Sequence, residues 1–246
     1  MIVRSISNKM IGFSGEVMSY YNNMLDIKTL VLGEMATNCY IVIEEDSREA
    51  IVIDPADSGE TILDVILAEQ LELKAIVLTH GHFDHLLGLL SIYLSFPNVP
   101  IFLHPADIFL YKRAAESAKH WLGHPVDPLP PIEILTHLSK KTLINIGKIE
   151  LKILELPGHT PGSIALLGPD WIISGDLAFA DGGVGRTDFK YSDQGQLNSS
   201  LKRLQKLPEN WTIYPGHGES FYVSEFRDLI AQDGENQYSS LHATSL

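Results

Sequence analysis

The chain has one cysteine, few basic residues and no long apolar run. Each of these shortages excludes a structural feature or a class of partner. Cys39 is the only cysteine among 246 residues, so an internal disulfide is impossible and a reducing, cytoplasmic location is expected. Lysine and arginine number 18 against 31 acidic residues, which gives a formal net charge of −13. Nucleic acids and anionic membranes both bind to clustered cations, so neither is expected as a partner. No apolar run reaches the ~20 residues that span a bilayer.

The rest of the composition is that of an ordinary globular chain. Hydrophobic residues make up 45% of the sequence, enough for a sizeable core at this length. No short-period repeat or linker interrupts the pattern of strands and helices. We therefore expect one β-rich domain that takes a small-molecule substrate, while the composition indicates no particular oligomeric state.

One short turn carries three imidazoles and a carboxylate within six positions: His80, His82, Asp84 and His85. The apolar run Lys74–Leu78 precedes the turn and the helix-like run Leu86–Phe96 follows it, so the cluster lies at the carboxyl end of a predicted strand. Helix capping or a polar surface turn is the alternative explanation. The agreement of donor types, spacing and context favours a metal site instead. Imidazole and carboxylate suit zinc, iron or manganese.

Three later loops each offer one more donor at the end of a short apolar strand. His159 stands in Pro157–Ser163, Asp176 ends Ser174–Asp176, and His217 stands in Tyr214–Gly218. Glycine and proline in these loops fix tight turns. Strands that end together would deliver all these donors to one sheet edge.

In this order, the motifs resemble those of the metallo-β-lactamase-fold superfamily over about residues 27–226. The resemblance implies an α+β fold, a four-layer αββα sandwich, with two divalent metal ions. It assigns His80, His82 and His159 to one ion and Asp84, His85 and His217 to the other. Asp176 would bridge the two. Zinc is the first expectation, with iron or manganese as alternatives.

The segment Gly183–Phe189 is similar to the glyoxalase II group, and more narrowly to its short hydrolases, which lack the added helical domain that grips glutathione. For Arg186 and Asp188 two interpretations stay open: a local ion pair that pins the loop, or direct contact with substrate.

This narrower resemblance implies hydrolysis of a thioester, S-lactoylglutathione or a related acyl-glutathione, by a metal-bridging hydroxide. Asp84 and Asp176 are the expected catalytic carboxylates, and Asp84 would also orient the attacking hydroxide. A missing Asn-Pro signature after the last histidine loop departs from the longer relatives that bind glutathione.

Three other functions stay open. A persulfide dioxygenase would bind one iron through His80, His159 and Asp176, or through His80, His82 and His159. That group usually carries Pro-Ala-His where this chain has Pro215-Gly216-His217, which favours hydrolysis. A metal-dependent lactonase would use the same metal pair on an ester. A non-catalytic metal-binding module would keep the fold alone.

Three segments are expected along the chain: an N-terminal extension over residues 1–26, the hydrolase domain over 27–230 and a C-terminal tail over 231–246. Within the domain, the pair Asp57 and Glu60 predicts a capping box that opens a helix. A helix is also expected over about Pro105–Lys119, and another from Asp193.

Overall fold

Two six-stranded mixed sheets lie face to face, and helices cover the outer face of each. The structure, a computed structural model, describes residues 24–232. The first sheet runs in chain order from β1 to β6: Leu25–Leu32, Thr37–Glu44, Glu49–Ile53, Glu72–Val77, Ile101–Leu103 and Leu135–His137. The second sheet contains β7 to β12: Leu143–Ile146, Ile149–Glu155, Ile164–Leu167, Trp171–Gly175, Thr212–Pro215 and Phe221–Tyr222.

Within residues 24–232, five α-helices accompany the sheets. They are α1 to α5: Gly59–Ala68, Leu89–Ser95, Ile108–Leu122, Gln194–Leu204 and Val223–Gln232. The first three pack on the first sheet and the last two on the second. These layers confirm the predicted αββα sandwich.

Strand β2 shows how the sequence pattern sets the layers. Successive side chains point to opposite faces of a strand, and every residue of β2 is buried. Cys39 and Ile41 pack toward the helices, whereas Tyr40 and Val42 pack toward the second sheet. Both faces of the strand are therefore covered, which is why its apolar run is continuous rather than alternating.

The strand directions bring the predicted metal ligands together. Strands β3 and β4 are parallel, and so are β10 and β11. Strand β9 runs antiparallel to both β8 and β10, so β8 and β10 point the same way. The loops after β4, β8, β10 and β11 carry all seven predicted ligands, and they meet at one edge of the two sheets.

The predicted capping box at the start of α1 is wrong. Ser58 is the N-cap, in a left-handed conformation, and it makes no side-chain capping bond. The Asp57 carboxylate accepts a hydrogen bond from its neighbour, the Ser58 amide, at 2.5 Å. Glu60 instead accepts a hydrogen bond from the Ser91 hydroxyl of α2 at 2.8 Å, a tertiary contact that local spacing could not reveal.

Two other helices begin differently from the expectation. The metal turn itself contains a 3-10 turn at Phe83–His85, and α2 begins at Leu89, three residues after the start of the helix-like run at Leu86. The helix expected from Pro105 opens as a 3-10 turn at Pro105–Asp107, and α3 then continues to Leu122. In contrast, Asp193 caps α4 as its position predicts, accepting a hydrogen bond from the Gln196 amide at 2.9 Å.

The chain ends lie largely outside the described residues. Residues 1–23 of the predicted extension and 233–246 of the predicted tail are not described. Strand β1 includes residues 25 and 26, and α5 runs to residue 232, so the domain bounds at 27 and 230 stay predictions. Within residues 24–232, no helix has both the length and the apolarity needed to cross a membrane.

Candidate metal centre

Three imidazole nitrogens and a carboxylate oxygen form the first ligand group, which consists of His80, His82, His159 and Asp176. Nδ1 of His82 lies 3.1 Å from Nε2 of His80 and 3.0 Å from Nε2 of His159. Oδ2 of Asp176 lies 3.6 Å from Nε2 of His159 and 3.9 Å from Nε2 of His80. The four atoms therefore surround one small volume.

The second ligand group consists of Asp84, His85 and His217, and Asp176 lies against it as well. Nε2 of His85 is 3.5 Å from Oδ2 of Asp84 and 3.5 Å from Oδ1 of Asp176. Nε2 of His217 is 3.3 Å from Oδ2 of Asp84 and 3.7 Å from Oδ2 of Asp176. Asp176 stands between the two groups, where the resemblance places a bridging ligand.

Both groups fit metal ions. A tetrahedral ion with ligands at about 2.1 Å has ligand-to-ligand distances of about 3.4 Å, close to those of both groups. Buried Nε2 of His85, Nε2 of His217 and Oδ1 of Asp176 make no hydrogen bond to any described residue. Unpaired buried polar atoms are costly, so these three atoms call for a cation.

The pKa shifts at the second ligand group also favour bound cations. Burial would raise the pKa of Asp176, but His217 and His85 hold it well below its usual range. Burial likewise opposes protonation of His85, yet the carboxylates of Asp84 and Asp176 raise its pKa well above the ordinary value. Positive charge in the second ligand group is thus stabilised by the two carboxylates, and metal ions would provide that charge in place of protons.

Burial keeps the first group neutral and ready to coordinate. Desolvation lowers the pKa of His80 well below its ordinary value and the pKa of His82 to about 3. A neutral imidazole offers a lone pair to a metal, whereas a protonated one does not.

Four of the five ligand histidines are also held by the ring nitrogen that faces away from the centre. The partners are the Thr79 hydroxyl for His80 (3.0 Å), the Asp54 carboxylate for His85 (2.9 Å), the Arg186 carbonyl for His159 (2.9 Å) and the Tyr191 hydroxyl for His82 (2.8 Å). Such outer contacts fix the tautomer and the orientation of a metal-binding imidazole.

Asp54 is one functional residue that the motif reading missed. Its carboxylate accepts hydrogen bonds from the Thr79 amide at 2.7 Å, from the Thr79 hydroxyl at 2.6 Å and from His85. Its oxygens lie near His80 and His85, but these three hydrogen bonds already occupy them. A signal was available, because Asp54-Pro55 ends the apolar strand β3 as Asp176 ends β10.

Asp107 is the second missed carboxylate, and it ties two ligand loops together. It accepts hydrogen bonds from the Gly81 amide at 3.0 Å, the Thr160 hydroxyl at 2.6 Å and the Gly162 amide at 2.6 Å. It is fully buried, and this burial raises its pKa. The 3-10 turn that follows β5 thereby fixes the position of the His159 loop.

The start of β2 holds the last histidine loop and the Asp84 side chain. The Asn38 amide donates to the Gly216 carbonyl at 2.7 Å, and its side-chain amide donates to the Pro215 and Gly218 carbonyls at 2.9 and 2.8 Å. The Thr37 hydroxyl donates to Oδ2 of Asp84 at 2.9 Å. One short segment therefore sets two ligands of the second group.

Gly216 is required by the close approach of Asp176. A Cβ at residue 216 would lie 2.0 Å from Oδ1 of Asp176 and 2.9 Å from Cε1 of His85. No side chain fits there without moving the carboxylate that stands between the two ligand groups.

A cavity of about 280 Å³ opens over both ligand groups. Its walls are largely aromatic, with Phe109, Trp121, Phe179, Phe189 and Tyr191 among the lining residues. Arg113 and Arg186 add positive charge beside these rings. The cavity therefore suits an amphipathic, anionic small molecule that reaches the ligand groups.

Arg186 and Asp188 form a local ion pair, which is one of the two interpretations that their sequence positions leave open. Nε and Nη2 of Arg186 lie 3.0 and 2.7 Å from the two Asp188 oxygens. The Arg186 guanidinium also lies over Phe189, 4.9 Å from the ring centre, and lines the cavity. Asp188 is exposed and is absent from the cavity wall, so contact with substrate stays a prediction, and for Arg186 alone it has structural support.

A family model described as "Metallo-beta-lactamase superfamily" matches residues 32–217. The chain belongs to this superfamily. The match includes all seven predicted ligands, from His80 to His217, and the fold is that of its members. The resemblance drawn from the loop motifs is thus confirmed.

Relatives within the superfamily include hydrolases. The chain is 31% identical to the hydroxyacylglutathione hydrolase GloC of Haemophilus influenzae, over 79% of this chain and 91% of that protein. Among solved structures, TTHA1623 in a di-iron-bound form has a TM-score of 0.72 at 34% identity, covering 80% of this chain and 96% of its own. The B3 metallo-beta-lactamase BLEG-1 has a TM-score of 0.73 at 29% identity, covering 82% and 97%.

Proposed function

We propose that this protein hydrolyses the thioester bond of an acyl-glutathione, with S-lactoylglutathione as the first candidate substrate. The observation that carries the proposal is the pair of ligand groups that share Asp176 at the floor of an open cavity. Similarity to GloC, a hydroxyacylglutathione hydrolase, supports the choice of a thioester. We further propose that the enzyme works in the cytoplasm as a metal-dependent hydrolase without a nucleic-acid or membrane partner.

The chemistry needs two divalent ions, for which zinc is the first candidate and iron or manganese the alternatives. When bound, such ions polarise a carbonyl and make hydroxide available near neutral pH. His80, His82 and His159 would hold one ion, Asp84, His85 and His217 the other, and Asp176 both. The protein supplies the rest: a fixed, largely buried set of donors and a shaped cavity.

Asp84 has a role of its own in this proposal. Its Oδ2 accepts a hydrogen bond from the Thr37 hydroxyl, which fixes the carboxylate in one orientation. From that position it can accept a proton or hydrogen bond from the attacking nucleophile and so align it with the carbonyl carbon. The proposal requires no serine or cysteine nucleophile, and the only cysteine, Cys39, is fully buried.

The cavity wall suits a substrate with negative charge. Arg113 is exposed, and the one ion pair that it forms with a described residue, Glu116, is long at 3.8 Å. Arg186 keeps its pair with Asp188 while facing the cavity. The carboxylates of a glutathione conjugate match these two cations, and its thioester end can reach the ligand groups.

The test is the rate of S-lactoylglutathione hydrolysis by purified protein whose metal content has been measured. The His159→Ala variant serves as the background, and we expect it to lose activity and keep its circular-dichroism spectrum, because the His159 loop lies outside the three apolar cores. Turnover that disappears in the variant supports the proposal. Equal turnover in both proteins, or none in either, contradicts it.

Three alternative activities should be measured on the same protein samples. Oxygen uptake with glutathione persulfide would indicate a persulfide dioxygenase. Ring opening of a homoserine lactone would indicate a lactonase, and hydrolysis of a β-lactam would indicate a β-lactamase. Gly216 weighs against the dioxygenase, because the alanine common in that group would bring its Cβ to 2.0 Å from Oδ1 of Asp176.

A further inference from the structure

The hydroxyl of Tyr191 lies beside the metal centre, 2.8 Å from Nε2 of His82. The phenol ring stacks on Phe189, with ring centres 5.2 Å apart and planes 9° apart, and meets the edge of Phe109 at 5.4 Å. All three rings line the cavity. The hydroxyl is therefore held in place by two neighbouring rings and one hydrogen bond.

The direction of that hydrogen bond follows from the rest of the site. His82 faces the first ligand group through Nδ1, which lies about 3 Å from the donor nitrogens of His80 and His159. A lone pair on Nδ1 leaves the proton of the neutral ring on Nε2. Nε2–H then donates to the Tyr191 oxygen, so the phenol acts as the acceptor in this contact.

The phenol hydrogen is consequently free to point elsewhere. A tyrosine hydroxyl can accept and donate at once. Among residues 24–232, the Tyr191 hydroxyl makes no hydrogen bond other than the one with His82. A tyrosine hydroxyl ordinarily loses its proton only at about pH 10, so it is a hydrogen-bond donor at neutral pH. A fixed donor without an acceptor thus faces the cavity next to the proposed reaction site.

We propose that Tyr191 determines specificity by donating a hydrogen bond to an oxygen on the acyl carbon adjacent to the thioester carbonyl. The inference rests on the proposed function and names the residue that would distinguish its 2-hydroxyacyl thioesters from plain acyl thioesters. The donor lies next to His82. The thioester carbonyl oxygen would itself be held at the ligand groups, so the next acceptor along the acyl group is an oxygen on the adjacent carbon.

The first measurement compares kcat/KM for S-lactoylglutathione and S-propionylglutathione, which differ by that one hydroxyl group. Wild-type protein should prefer the lactoyl thioester, and Tyr191→Phe should reduce the preference about threefold to tenfold, the usual value of one neutral hydrogen bond. Tyr222→Phe is the matched control, because Tyr222 is 52% exposed and does not line the cavity. It should keep the wild-type preference.

The second measurement does not depend on turnover. Calorimetry of the metal-loaded protein with S-(2-hydroxypropyl)glutathione and S-propylglutathione should show tighter binding of the hydroxylated thioether to wild type, and equal binding of both to Tyr191→Phe. Selective binding without hydrolysis would refute the proposed function and keep the inference. Hydrolysis of both thioesters with no preference would support the proposed function and refute the inference.

A purely structural role for Tyr191 gives a different result. If the hydroxyl only holds His82, then Tyr191→Phe lowers the metal content per chain and slows both thioesters equally. That outcome, or failure of either thioether to bind, overturns the inference.

Discussion

Nδ1 of His85 lies 2.9 Å from Oδ2 of Asp54, and both side chains are buried. This contact links β3 to the second ligand group, because Asp54 directly follows that strand and also accepts two hydrogen bonds from Thr79. A buried carboxylate of this kind orients the ring and strengthens its lone pair toward a metal.

We therefore expect Asp54→Asn to weaken metal binding. The amide cannot accept all three hydrogen bonds of the carboxylate, so His85 loses its fixed orientation. Loss of such an outer contact typically lowers metal affinity about 10- to 100-fold. Competition against a chromophoric chelator measures the affinity, with Asp64→Asn, at an exposed position of α1, as the control. Equal affinity in both variants would refute this role of Asp54.

Gly216→Ala should remove one of the two expected ions. The new Cβ would overlap with Oδ1 of Asp176, so the carboxylate must leave its position between the ligand groups. We expect the metal content to fall from two ions per chain to one or fewer, as measured by plasma mass spectrometry on folded protein. Gly195→Ala is the comparison, since its Cβ would meet nothing closer than 3.2 Å. Full occupancy in Gly216→Ala would contradict the prediction.

Asp107→Asn should lower the free energy of unfolding by about 1–3 kcal/mol, the cost of leaving buried donors unsatisfied. An amide has one accepting oxygen, so at least one of the Gly81, Thr160 and Gly162 donors loses its partner. Denaturant unfolding of the metal-loaded protein measures the change. Asp46→Asn, at an exposed turn, should change the free energy of unfolding by less than about 0.5 kcal/mol. A similarly small change for Asp107→Asn would contradict the prediction.

His124 and Glu34 provide a pH-dependent contact away from the ligand groups. The hydrogen bond from the His124 imidazole to Glu34, 2.6 Å long, raises the pKa of His124. A raised pKa favours the protonated ring in the folded state, so the contact is complete below the ordinary histidine pKa and is lost as pH rises through the raised value. NMR titration of the ring proton should show this pKa, and Glu34→Gln should lower it. Glu133→Gln should leave the titration curve unchanged, and an unchanged curve in Glu34→Gln would refute the contact.

The sequence predicted well what depends on local pattern. The apolar run Lys74–Leu78 predicts a strand before the metal turn, and β4 lies at Glu72–Val77. A short apolar run that ends at a turn leaves few alternatives. The ligand loops follow their strands for the same reason, and parallel strand directions then bring them together.

Contacts between distant segments were not predictable in this way. Asp54 and Thr79 are 25 positions apart, and Asp107 and Gly162 are 55 apart, so no local spacing reveals either hydrogen bond. The predicted capping box at Asp57 is wrong because Glu60 accepts a hydrogen bond from Ser91 on α2 instead. The roles of the seven ligands, of Arg186 and of Asp188 stay predictions until metal and substrate are measured.

The ligand set is divided between the two sheets, with four donors after β4 and three that follow strands of the second sheet. Protein synthesis proceeds from the amino terminus, so His80 emerges from the ribosome long before His217. The nascent chain can present imidazoles early, but the complete pair of ligand groups exists only after nearly the whole domain has been made. Two ions that share Asp176 would therefore bind to the finished fold and not to the emerging polypeptide.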